Sequence, residues 1–203
     1  ADLAGGAPYP VPSEPEPPSL PGAERPTQRY NRTAAVAYAD RYCGVRIREG
    51  DGRYNQRYRD YTDLGGDCAN FASQVLTDPK AGGIPQDWAW FSYANTASGA
   101  WLVAEDLVHH LLGTGRATLL ARGAPPAISA PTPAFPKGPL YHLSPGDIIG
   151  YERQGRIVHV SVVAGRDSSG YPVVDSHSGD RYRVPWDLGY HSRVKYWLLR
   201  IVY

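Results

Sequence analysis

One of the chain's two cysteines, Cys68, lies in the run GGDCANFASQVL over residues 65–76. Gly65 and Gly66 let the backbone turn sharply. Asp67 is a good helix N-cap, and Cys68 then falls at the first helical position. A thiol there sits among unpaired backbone N–H groups at the positive end of the helix dipole. That setting favours the thiolate and lowers its pKa, and the same N–H groups can serve as donors to an oxyanion. Phe71, Ala72 and Val75 follow on the same helical face and predict an anchor in a core beneath the thiol. The chemistry this arrangement offers is nucleophilic attack on a carbonyl.

A nucleophilic cysteine needs a base. Of the six histidines, His159 interrupts a strongly β-type run, RIVHVSVVAG. Strand alternation predicts Ile157, His159, Ser161 and Val163 on one face, with Val158, Val160 and Val162 on the other. A turn at RDSSG then sends YPVVDSHSGD back antiparallel, with Asp175 and His177 on a shared face. Either could accept the second N–H of the imidazole and orient it, and parity does not separate them. Among the other histidines, His109 and His110 suit the end of a helix, while His142 and His191 stand in loops without a nameable partner. Cys43 reads as a buried small hydrophobe. Cys68, His159, Asp175 and His177 lack the short ligand spacing of a structural zinc site. No metal and no cofactor is called for.

The elements that must position these groups are legible in outline. NRTAAVAYADRYCG predicts a helix capped by Asn31, with Val36, Ala39 and Cys43 facing inward. Cys68 opens a second helix. A third is predicted over residues 98–112, with Trp101, Ala104, Val108 and Leu111 on one side. The Tyr-rich loop before Cys68 and the Trp-rich loop after it, with Trp88 and Trp90, are candidates to wall a cleft, and Gln74 is a candidate substrate contact. A proline-rich loop spans 123–139. Short β-type runs then follow to the C-terminus. Helices first and strands later predict an α+β fold, a helical half against an antiparallel sheet.

Residues 1–29 carry eight prolines and few large apolar groups. They read as an extended linker or arm, followed by one folded domain over 30–203. The net charge of +1 and the absence of a basic run argue against nucleic acid as a partner. No apolar run is long enough to span a membrane.

The words NRTAAVAYADRY, GGDCANFASQVL, AGGIPQDW, GDIIGY with HVSVV, and VDSHSGDR together resemble the "Putative amidase domain" family, over roughly residues 30–200. That family belongs with the NlpC-type papain-like hydrolases of bacterial cell walls. The resemblance implies a papain-like fold, Cys68 as nucleophile, His159 as base and a third group at Asp175 or His177. It also implies a secreted or envelope-associated bacterial hydrolase that cleaves an amide or peptide bond in a peptidoglycan-like substrate through a thioester. A non-catalytic envelope-binding domain of the same fold, or a cysteine acyltransferase, are the competing readings. Val160 departs from the family pattern, in which a small polar residue follows the histidine.

Overall fold

The computed structural model describes residues 29–49, 53–189 and 193–203. The linker expected over 1–29 lies outside the described residues except for its last residue, Arg29. Helix α1 spans Arg32–Tyr42, α2 Cys68–Thr77, α3 Gly99–Leu102, α4 Ala104–Gly113 and α5 Pro125–Ser129. Strands β1 (Ser92–Tyr93) and β2 (Thr96–Ala97) form a small hairpin. The remaining strands are β3 (Ala117–Gly123), β4 (Ile148–Arg153), β5 (Arg156–Arg166), β6 (Pro172–Ser176), β7 (Arg181–Pro185) and β8 (Lys195–Ile201). These six make one antiparallel sheet in the order β3-β8-β4-β5-β6-β7. The fold is therefore mixed helix and antiparallel sheet, as the order of patterns predicts.

The sheet separates two apolar clusters. One joins α1, α2 and α4 to Ile148, Ile157, Val160, Val162 and Leu199. The other gathers Ile149, Tyr151, Val163, Val174, Tyr196, Leu198 and Trp186 with Ile128 and Leu140. Helix α1 starts where expected: the Asn31 side chain accepts from Ala34 N at 3.0 Å. Its buried face is Ala35, Tyr38 and Ala39, continued by Cys43, while Val36 is only half-buried. Helix α2 is buried along its whole length.

Three local expectations fail. The third helix breaks at Val103, which is extended at φ −110° and ψ 123°. A β-branched residue tolerates that conformation readily. Residues 117–123 form an edge strand, paired with β8, that the sequence reading left unassigned. The proline-rich loop contains the short helix α5, whose first turn accepts Pro125 and Pro126 because those N–H groups have no helical partner.

Both ends of the described domain are tied together. Tyr30 N donates to Tyr203 O at 3.0 Å, and Tyr30 Oη donates to Gly146 O at 2.8 Å. Asp147, buried, accepts from Arg32 Nη1 at 2.8 Å, from Ile201 N at 3.0 Å and from Ser144 N at 2.7 Å. Gly82 closes the turn after α2, donating to Val75 O at 2.9 Å and accepting from Asn31 N at 3.0 Å. A Cβ at Gly82 would overlap the Leu76 carbonyl oxygen and the Tyr30 ring. Gly82→Ala is therefore expected to lower stability by about 1–3 kcal/mol, the usual cost of overpacking. A fall in the urea midpoint measures it, and an unchanged midpoint would mean that the turn relaxes freely.

Candidate active site

Cys68 is the first residue of α2, and the two glycines before it turn the chain at φ 116° and 129°, which only glycine adopts readily. The thiol forms part of a cavity of about 680 Å³, lined also by Tyr61, Leu64, Leu102, Val103, Ile157 and Val158. Only 8% of Cys68 is exposed. Backbone N–H groups of Val160 and Ala69 are close enough to bear on the Cys68 thiol. These lower its pKa, but burial raises it more, and the neighbouring Asp67 carboxylate adds to the rise. The expected thiolate-favouring site is thus overturned. A helix terminus supplies about 0.3–1 kcal/mol at exposed positions, whereas removing a charge from water costs several.

Asp67 occupies the N-cap position but makes no capping bond with its side chain. Its Oδ1 instead accepts from Tyr61 N at 2.8 Å and from Asn70 Nδ2 at 2.7 Å. Its Oδ2 meets His177 Nδ1 at 2.6 Å. The other nitrogen of His177, Nε2, lies 2.6 Å from Tyr42 O. A carbonyl oxygen only accepts, so Nε2 must donate to it. Nδ1 and Oδ2 share a short hydrogen bond between a buried ring and a buried carboxyl group. The ring is sandwiched between those of Tyr54 (3.7 Å between centroids) and Phe71 (4.1 Å). Ser178 Oγ also accepts from Asp67 N at 2.5 Å. Residues 176–178 are thereby clamped to the start of α2.

His159 lies elsewhere. It stands opposite Tyr151, with ring centroids 5.2 Å apart, and its Nε2 lies 3.2 Å from Ser161 Oγ. Tyr151 belongs to the second apolar cluster, on the sheet face away from α2. The register of β4 against β5 shifts between Tyr151↔His159 and Glu152↔Ile157. The extra residue is Val158, so Ile157 joins Val160 and Val162 on the helical face while His159 turns away. Strict alternation had placed Ile157 and His159 together. The ring is buried, and burial, with the nearby Arg181 charge, depresses its pKa to about 4.

Asp175 does not reach His159 either. Its Oδ1 accepts from Arg183 N at 2.7 Å, and Oδ2 has no hydrogen-bond partner among the described residues. Burial and the nearby Asp40 carboxylate push its pKa well up. Asp40 itself accepts from Arg183 Nε at 2.9 Å and Nη2 at 2.8 Å. The three substrate-contact candidates also fall outside the cavity. Gln74 is buried and accepts from Tyr38 Oη at 2.9 Å. Trp90 is a core residue whose Nε1 donates to Ser73 Oγ at 2.9 Å. Trp88 is 90% exposed and belongs to the outer surface. The residues the reading missed, Leu102, Val103 and the stretch 156–158, border the cavity because of the α3–α4 break and the β5 bulge. Neither irregularity leaves a pattern in the sequence. Among the described residues no group of three potential ligands could hold a metal ion, and no helix is long and apolar enough to cross a membrane.

The family described as "Putative amidase domain" matches residues 29–199. The chain belongs to that family. Its name points to amide hydrolysis. A relative in Bacillus subtilis (strain 168), "Uncharacterized protein YhbB", is 28% identical over 177 residues, covering 83% of this chain and 44% of the relative. The chain thus spans less than half the length of that relative. No solved structure matches it.

The depressed pKa of His159 couples to stability. Between the ordinary value near 6.5 and the folded value of about 4, the unfolded chain binds the proton and the folded chain does not. The contribution is fully present above about pH 6.5 and is lost as pH falls through about 4, a span of about 3 kcal/mol. Wild type is expected to lose that much more stability than His159→Gln across this range. Parallel pH–stability curves from urea titration would refute it.

Proposed function

We propose that this domain is a papain-like cysteine amide hydrolase of the NlpC type, with Cys68 as nucleophile and His159 as base. The observation that carries the reading is the cavity of about 680 Å³ that Cys68 lines as the first residue of α2, where the first N–H groups of the helix are donors without helical partners. Those donors suit a developing oxyanion as well as they suit the sulfur. The amide specificity comes from the family, and a substrate in the bacterial cell envelope comes from the resemblance of the chain to cell-wall hydrolases.

The two histidines divide the labour by their hydrogen bonds. Both ring nitrogens of His177 are engaged, Nδ1 with Asp67 Oδ2 and Nε2 with Tyr42 O. It is a positioning residue that fixes Asp67 and the turn into Cys68. His159 is neutral at physiological pH, which is the state a general base requires. It precedes Val160 on β5, and the Val158 bulge turns it from the cavity. Moving the extra residue of that bulge past His159 would bring its ring to the Cys68 face, since one residue of slip reverses a strand's faces.

In the reaction, His159 takes the thiol proton and the sulfur bonds to the amide carbonyl carbon. The C–N bond breaks as His159 returns the proton to the leaving amine. Water then cleaves the thioester, releasing the acid and restoring the thiol. The test is amine release from peptidoglycan fragments and amide-linked peptides, followed by mass spectrometry. Cys68→Ala is expected to abolish release, and His159→Ala to slow it by about 10²–10⁴-fold with the fold retained. His177→Ala is expected to cost about 3 kcal/mol of stability, as loss of one partner of a buried ion pair does. Undiminished release by Cys68→Ala would sink the proposal.

A further inference from the structure

The cavity at Cys68 does not end at Val158. Arg156 and Val158 also line a second cavity of about 460 Å³, together with Arg153, Gln154 and Arg193. Arg153 and Arg156 flank the β4–β5 turn, and Arg193 enters β8. All three are exposed, and among the described residues no carboxylate lines the cavity. Glu152, the nearest acid in sequence, is taken by Arg122 Nη2 at 2.6 Å and by Trp197 Nε1 at 2.7 Å. Arg156 meets Glu105 only at 3.4 Å, and its side chain remains 77% exposed. Three arginines therefore line one cavity, and among the described residues only Arg156 of the three meets a carboxylate. Each can hold a carboxylate through two parallel N–H···O bonds.

Resting on the reading of Cys68 as the nucleophile, we propose that the arginine cavity is a specificity subsite. It takes a carboxylate carried next to the scissile amide, so the substrate class is an acidic peptide. The shared wall at Arg156 and Val158 makes the two cavities one groove, with the reacting carbonyl at the thiol end and the anion at the arginine end. The subsite also supplies what the thiol end lacks. Around Cys68 the lining is mostly apolar, and apolar contacts alone discriminate poorly between amides. A charged anchor at fixed distance orients the carbonyl over the sulfur.

The test uses thiol reagents and needs no hydrolysis, so its failure is distinct from failure of the enzymatic reading. N-iodoacetylglutamate and its neutral partner N-iodoacetylglutamine amide are compared for the rate of Cys68 alkylation by mass spectrometry, with the buried Cys43 as internal reference. Wild type is expected to favour the acidic reagent by about 10-fold, the equivalent of 1.4 kcal/mol. The preference is expected to vanish in the Arg153→Gln/Arg156→Gln/Arg193→Gln variant and in about 1 M salt, where screening is complete within about 3 Å. Arg41→Gln, on α1, is expected to leave it intact. Calorimetric titration with N-acetylglutamate reads the same cavity without the thiol, and binding is expected in wild type but not in the triple variant. Equal alkylation rates in wild type, a preference that survives the triple substitution, or N-acetylglutamate binding indifferent to it would each overturn the proposal.

Discussion

The buried pair between Asp67 and His177 is the constraint on which the site depends. One carboxylate collects the backbone of Tyr61, the side chain of Asn70 and the ring of His177. One imidazole ring ties that carboxylate to the end of α1 through Tyr42 O. Three segments distant in sequence thus meet at the residue that precedes the thiol. Such a pair gains little net stability, because desolvating two charges offsets most of their attraction. Its consequence is geometric: with every polar atom satisfied, the loop into α2 has one arrangement, and Cys68 has one position.

Within that frame the thiol is governed by competition between two local fields. Backbone N–H groups at the helix start favour the anion. Burial against α2 and the sheet disfavours it, and burial prevails. The same imbalance acts on His159, whose ring stays neutral because the sheet and the second cluster exclude water. The thiol, on α2, and the imidazole, on β5, are thus each held by burial toward the uncharged form. What separates them is a single inserted residue, Val158. The Val158 bulge also shapes the outer groove, since Val158 and Arg156 border both cavities.

Polar contacts away from the thiol follow a similar economy. Trp101 Nε1 donates to Asn70 Oδ1 at 2.7 Å, and Trp90 Nε1 to Ser73 Oγ at 2.9 Å. The polar side chains of α2 are thus consumed in seating aromatic rings, and the helix is buried on every side. This is why Gln74 and Trp90, chemically suited to contact a substrate, instead hold the core.

The sequence by itself determined most of the elements and their order, though not β3, α5 or the break between α3 and α4. Apolar spacing and caps placed α1 and the start of α2, period-two runs placed β4 to β8, and the class followed from helices preceding strands. It also determined which residue opens α2, because glycines, a cap and an apolar face are local signals. Family membership was legible for the same reason, since its words are contiguous. Tertiary structure decided what contiguous words cannot encode. Asp67 looked like a cap because local rules see only its own helix, yet a histidine 110 positions away claims its carboxylate. Alternation placed His159 with Ile157, but a bulge is set by pairing with β4, which no window on β5 contains. Asp175 and His177 share a strand parity and meet different partners, since β6 runs on from paired strand into a turn that folds back onto α2. Ionisation states belong to the same class: dipole and neighbours are readable from sequence, while burial, the larger influence here, exists only once the chain has closed around the group.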